Sequence, residues 1–155
     1  MERFELPGSG IYFKTFNIYF YLDFQSGHKY LFSEISHNWE DARGECELYG
    51  GWLVRIFDLE EYNCIMRHAV KEETGIWYWT DGNDVANTGV WVHAFDNSEV
   101  SFFPHTVNCC SQDHLCHIGG EAFALNTGGS RKDRGNYCDD FTTTEHLFIC
   151  ESDKF

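Results

Sequence analysis

The feature that most constrains this chain is a frame of cysteines, glycines and tryptophans running from Cys46 to Cys150. It reads Cys46-x3-Gly50-Gly51-Trp52-Leu53-Val54-x-Ile56, then Trp77-Tyr78-Trp79-Thr80-Asp81-Gly82, then Trp91, Cys138 and Phe148-Ile149-Cys150-Glu151. A cysteine near a helix end, a double glycine, a strand-like run and a cysteine in the last apolar run describe a domain closed by disulfide bonds. Seven cysteines fit that picture in an oxidising, extracellular compartment; in a cytosolic protein they would point to metal or redox chemistry. Seven is odd, so one thiol is left over for a free cysteine or an interchain bond.

The 155 residues are enough for one domain with a real core. Residues 1–10, ending in Pro7-Gly8-Ser9-Gly10, are expected to be a mobile lead-in to a single domain over 11–155. Aromatic content of 17% argues against disorder. A formal charge of −14 repels nucleic acid and anionic membrane surfaces. No apolar run approaches the roughly 18 residues of a membrane span. The chain starts Met1-Glu2-Arg3 without basic and apolar leader regions, so a secreted form would already have lost its signal peptide.

Residues 11–24 are aromatic-rich and predict an extended strand or hairpin, with Tyr12, Phe16, Ile18, Phe20, Leu22 and Phe24 on one face by parity. That face belongs to the core, with a subunit contact as the alternative. Trp39, Ala42 and Cys46 at helical spacing predict a helix over 37–49, stopped by Gly50-Gly51. A second helix is expected over 58–71, with Asp58 as N-cap and Glu61 completing a capping box. Strands are expected at 52–57, 76–80, 90–95, 121–125 and 147–150. The stretch 96–120 has little periodicity and reads as a long functional loop.

The frame resembles the C-type lectin-like domain over roughly residues 28–151. The resemblance implies an α+β fold in which two helices flank small antiparallel sheets and a long loop leaves and rejoins the body. It implies a Cys46–Cys150 disulfide and a second bridge onto Cys138, for which Cys116 is the better partner. Cys64, Cys109 and Cys110 then remain; adjacent cysteines rarely pair with each other, which leaves one of Cys109 and Cys110 for Cys64 or a second chain. The family's sugar site uses calcium held by a Glu-Pro-Asn or Gln-Pro-Asp triplet, a following Glu and a Trp-Asn-Asp triplet, because calcium needs six to eight converging oxygens. Here the first triplet falls on Thr106-Val107-Asn108, the Glu on His114 and the Asn-Asp pair on Arg134-Gly135. These departures weigh against the usual calcium site. Asp113, Glu121, Asn136 and Asp139 are the oxygen ligands left for a cation site arranged differently, and calcium is the only cofactor in view.

Other chemistry is weaker. His105-x3-Cys109-Cys110-x3-His114-x-Cys116-His117 is rich in zinc-ligand types, but an oxidising compartment pairs the cysteines instead. No cysteine is marked as a nucleophile by an adjacent base, and the resembled family is mostly non-enzymatic. Trp91, Phe102, Phe103 and Tyr137 are candidate stacking surfaces for a pyranose ring, with Trp91 also a core candidate. The expectation is an extracellular, non-enzymatic lectin that binds glycans through Asn108, Asp113, Glu121, Asn126, Arg131, Asp133 and Asn136. The alternative is a protein-binding or structural member of the fold. The odd cysteine and the N-terminal aromatic run favour a homo-oligomer, which would raise the avidity of weak single sites.

Overall fold

The computed structural model describes residues 29–69, 76–104, 121–127, 135 and 137–153, and the backbone of 2–5, 10–15 and 18–23. These form ten strands and two helices: β1 (Glu2–Glu5), β2 (Gly10–Thr15), β3 (Ile18–Asp23), β4 (Lys29–Ser33), α1 (Trp39–Leu48), β5 (Trp52–Leu53), α2 (Leu59–Ala69), β6 (Trp77–Asn83), β7 (Val92–His93), β8 (Ala122–Asn126), β9 (Tyr137–Asp140) and β10 (Leu147–Ser152). The sheet runs β1-β2-β3-β4-β10-β6-β8-β9, with β5 on β10 and β7 on β6. Its pairs are antiparallel except β10 with β6, which is parallel.

The helix ends follow from local chemistry. Asn38 caps α1, its side chain accepting from Asp41 N. At the other end Gly51 N donates to Cys46 O and Gly50 N to Glu47 O, both at 3.0 Å. This is a Schellman stop, and Gly50 sits at φ +81°, where a Cβ is disfavoured. The capping box of α2 forms in a shifted version. Glu61 N donates to Asp58 Oδ1 at 2.8 Å, while Glu61 Oε2 reaches back to Phe57 N, one residue beyond the cap. Its other oxygen accepts from Tyr30 Oη at 2.9 Å, which ties α2 to β4.

The central strands are buried on both faces, and each face carries its own core. Tyr30, Phe32 and Ile149 pack with Tyr62, Ile65 and Ala69 of α2. Leu31, Phe148 and Cys150 pack with Trp39, Ala42 and Cys46 of α1. The alternation of the pleat therefore sorts β4 and β10 between the two helices. Cys46 and Cys150 form the disulfide that the frame implies, tying α1 to the last strand. Trp79 is fully buried, as expected.

Several expectations change. Glu2–Glu5 is not a lead-in but pairs with β2. The 11–24 segment is a hairpin with a two-residue connection, Thr15 facing Ile18 and Tyr12 facing Tyr21. Parity reverses at that turn, so position 12 shares a face with 21 and not with 18, 20 and 22. Cys64 lies buried in the α2 core, and its burial closes it to a second chain. Cys138 is disulfide-bonded, and Cys109, Cys110 and Cys116 lie outside the described residues.

Candidate functional site

Strands β6, β8 and β9 build an aromatic floor; the segments 105–120 and 128–134 lie outside the described residues. Phe123 on β8 is the centre of that floor. Trp91 stacks on it with ring centroids 3.7 Å apart, Tyr137 stacks from β9 at 5.1 Å, and Phe103 meets it edge-on at 5.9 Å. Tyr62 of α2 contacts Phe102 at 6.0 Å, which joins the column to the core. Phe123 lies this close to β6 because position 82 is glycine: a Cβ there would come within 2.7 Å of the Phe123 ring. The β6–β8 register also shifts between Trp79 and Asn83, a local irregularity at this contact. Burial pushes the Tyr137 hydroxyl well above its ordinary range, with Asp81 and Glu61 adding to the effect.

The second feature is a clamp on the polar loop. Thr127 N and Oγ1 both donate to Ile76 O, at 2.9 and 3.0 Å. Eight residues on, Gly135 N donates to Asn126 O at 2.6 Å, and Tyr62 Oη donates to Gly135 O at 2.8 Å. Gly135 has φ +88°, and a Cβ at that position would run into the Tyr62 hydroxyl. The residues on either side of 128–134 are thus fixed to the body, Thr127 one residue past β8 and Gly135 two residues before β9.

Of the residues expected to bind ligand, Asn108, Asp113, Arg131, Asp133 and Asn136 lie outside the described residues. The three that are described do not converge. Glu121 is exposed just before β8, where its Oε2 accepts from Thr142 Oγ1 at 3.0 Å. Asn126 is buried at the far end of the same strand, about 17 Å away at 3.4 Å per residue. Asp139 is buried opposite Phe123. Among the described residues, no three His, Cys, Asp or Glu side chains gather as a metal set. Of the expected stacking residues, Phe103 is exposed, and Trp91, Phe102 and Tyr137 are half-buried.

Sequence reasoning missed Phe123, whose only signal was its place in an alternating run, and it missed a buried hydrogen-bonded pair that involves β6. Asp81 and His93 are both buried, with Asp81 Oδ1 at 2.6 Å from His93 Nδ1. Asp81 Oδ2 also accepts from Phe95 N at 3.4 Å. Burial holds the Asp81 carboxyl above its usual range, although His93, the Phe95 amide and Arg55 all pull the other way.

Two helices packed on opposite faces of a sheet, with a cysteine bridge closing helix to last strand, make the C-type lectin architecture. A model of the lectin C-type domain matches residues 35–152, and the chain belongs to that family. It is 38% identical over 76 residues to the perlucin-like protein of Mytilus galloprovincialis, an alignment covering 47% of each chain. It is 25% identical over 130 residues to C-type lectin 37Da of Drosophila melanogaster, covering 81% of this chain and 68% of that one. The chain thus spans about half the length of the mussel relative. Among solved structures, the mouse scavenger receptor C-type lectin carbohydrate-recognition domain superposes with a TM-score of 0.66 at 22% identity, covering 95% of each chain. The SPL-1–GlcNAc complex gives 0.65 at 23%, covering 83% of this chain and 90% of that one. Herring type II antifreeze protein gives 0.64 at 23%, covering 95% and 98%. Such identities speak for the fold alone. Members of the family are generally non-enzymatic and typically extracellular, and they commonly bind calcium. No described helix is long and apolar enough to cross a membrane.

Proposed function

We propose that this domain is a secreted, non-enzymatic lectin that binds glycans on the face where the 105–120 and 128–134 loops meet the β8–β9 floor. The observation that carries this is the clamp: Thr127 and Gly135, on either side of a seven-residue polar segment, are fixed to the body that carries the aromatic column. A pyranose has an apolar face that lies on an aromatic ring and hydroxyls that hydrogen-bond polar side chains. Phe103 and Trp91 supply the ring, and Asn108, Asp113, Arg131, Asp133 and Asn136 supply the polar groups. Glu121 and Asn126, held at opposite ends of β8, cannot both touch one sugar. Calcium enters through loop oxygens, Asp113 and Asn136 with Asp139, rather than through Glu121. The disulfide between Cys46 and Cys150 supports an oxidising, extracellular setting. Cys109 or Cys110 is the thiol that would join two copies, and a dimer that disappears on reducing electrophoresis is the expected sign.

A glycan array probed with and without a chelator tests this. Binding in at least one condition is expected, and silence in both would sink it. Binding that survives chelation removes calcium from the mechanism. A second reading, a protein-binding or structural domain without a sugar site, is favoured by the antifreeze proteins among the structural relatives. It predicts the silent array.

A further inference from the structure

A second concave site lies away from the loops. A cavity of about 260 Å³ opens between α1 and the β5–β6 region, lined by Arg43, Glu47, Trp52, Asp81, Ala94 and Phe95. Pockets for drug-sized ligands run from about 300 to 1,000 Å³, so this one suits a single small ring. Three buried side-chain nitrogens of the described residues lack a hydrogen-bond partner: Trp52 Nε1, Arg55 Nε and His93 Nε2. Native proteins leave few such atoms, and a water or ligand group is the usual reason for one. These three are not scattered. Trp52 and Phe95 rings lie 4.6 Å apart, and the Arg55 guanidinium sits 4.1 Å from Phe95 and 5.1 Å from Trp52. His93 is bonded to Asp81, which forms part of the cavity wall.

The chemistry of the wall selects the ligand. Trp52 gives a flat apolar surface and an indole N–H that needs an acceptor. Glu47 offers an acceptor from the α1 side, and Arg43, whose Nη1 already donates to Glu40 at 3.2 Å, has further N–H groups to offer. Arg43 is paired with Glu40 and Asp81 is hydrogen-bonded to His93, so neither leaves its charge free for an ionic ligand. A flat apolar face edged by both donors and acceptors, without net charge, fits a neutral sugar ring. We infer that this cavity is a subsite for a neutral hexopyranose, lying on Trp52 and hydrogen-bonded by Arg43 and Glu47 without calcium. Phe95 packs on Trp52 with ring centroids 4.6 Å apart and is itself 52% exposed, which places it at the rim of the cavity. This subsite does not depend on the long-loop site; either can fail alone.

Amide and indole NMR of the intact chain in the presence of EDTA tests it. The protein is titrated separately with galactose, mannose, glucose and N-acetylglucosamine to about 100 mM, enough to saturate a Kd of about 1–10 mM. At least one sugar should move the Trp52 Nε1–H and Gly51 N–H resonances together. Glu47→Ala should weaken that titration by about fivefold or more, the loss of one hydrogen bond. Glu47 is exposed in the last turn of α1, where a carboxylate opposes the helix dipole, so the variant folds. No movement at Trp52 and Gly51 with any of the four sugars overturns the subsite, as does an unchanged titration in Glu47→Ala. Shifts confined to Trp91, Phe123 and Tyr137 also overturn it, while supporting the long-loop face.

Discussion

Gly135→Ala tests the clamp on the 128–134 loop most directly. Two costs follow from the structure. Alanine at φ +88° leaves the region that L-residues favour, which costs about 1–2 kcal/mol. Its Cβ also overlaps the Tyr62 hydroxyl, and overpacking of that kind costs about 1–3 kcal/mol. Together they predict a loss of about 3 kcal/mol in equilibrium urea unfolding with the disulfides intact. Tyr62→Phe alone removes the donor to Gly135 O and leaves a buried carbonyl unsatisfied, a loss of about 1–3 kcal/mol. The two changes should not add. With the hydroxyl gone, the alanine keeps its backbone cost but no longer meets its obstacle, so the double variant should recover about 1–2 kcal/mol relative to the sum. Losses that add within about 0.5 kcal/mol would show that Tyr62 and Gly135 do not share a contact and would refute the clamp. Glycan binding measured where Gly135→Ala is still folded should fall as well, because the loop would have lost one anchor.

Three further outcomes are expected. Replacing Cys46 and Cys150 by serine opens a link across 104 residues, worth about 4.7 kcal/mol in the chain-entropy model, and should lower the unfolding midpoint accordingly; an unchanged midpoint would remove the bridge from the stability of the domain. Gly82→Ala should push Phe123 off β6, cost about 1–3 kcal/mol and reduce the near-ultraviolet circular dichroism of the Trp91–Phe123–Tyr137 column; an intact spectrum would contradict the close approach. Asp81 has a carboxyl whose folded pKa is raised by burial, so the folded state holds its proton more tightly than the unfolded chain does. Its contribution to stability is greatest below the ordinary carboxylate value and declines as pH rises through the raised one. The wild type should therefore lose stability on going upward from about pH 4 relative to Asp81→Asn, and the opposite slope would mean that His93 dominates the pair.

Much of the fold could be read from the sequence because its signals are local. Asn38, Asp58, Glu61 and Gly50-Gly51 set helix ends through contacts within a few residues, and the pattern around Cys46 and Cys150 set the closure. The errors arose where the deciding contact was remote or the pattern was short. The reversal between Thr15 and Ile18 changed parity, which no count along a single strand reveals. Strand β9 was missed because Tyr137-Cys138-Asp139-Asp140 has no apolar alternation; its burial comes from pairing with β8. Lys29–Ser33 was missed for the opposite reason, being buried on both faces and so without a polar side. The site was less legible than the fold. Glu121 and Asn126 are close in sequence and far apart in space because a strand, unlike a helix, carries its residues steadily away from one another. Asp81 and His93 are partners across β6 and β7, and neither residue alone marks a pair.

Strand β6 also explains why two sites can share one small domain. Asp81 lines the cavity beside α1, and the next residue, Gly82, admits Phe123 to the aromatic floor of β8 and β9. Adjacent residues thus serve different faces, and the backbone between them is shared. Thr80 Oγ1 donates to Phe123 O, and Asp81 N donates to Val54 O, so this stretch is held from both directions. A side-chain change at the rim should therefore act on one site only: Glu47→Ala on the cavity, Trp91→Ala on the loop face. A change that moves the strand itself should act on both. Gly82→Ala is that change, and it should shift the Trp52 indole resonance as well as those of the aromatic column. A Trp52 resonance left in place while the column is disrupted would mean that the two faces are mechanically independent despite being one residue apart.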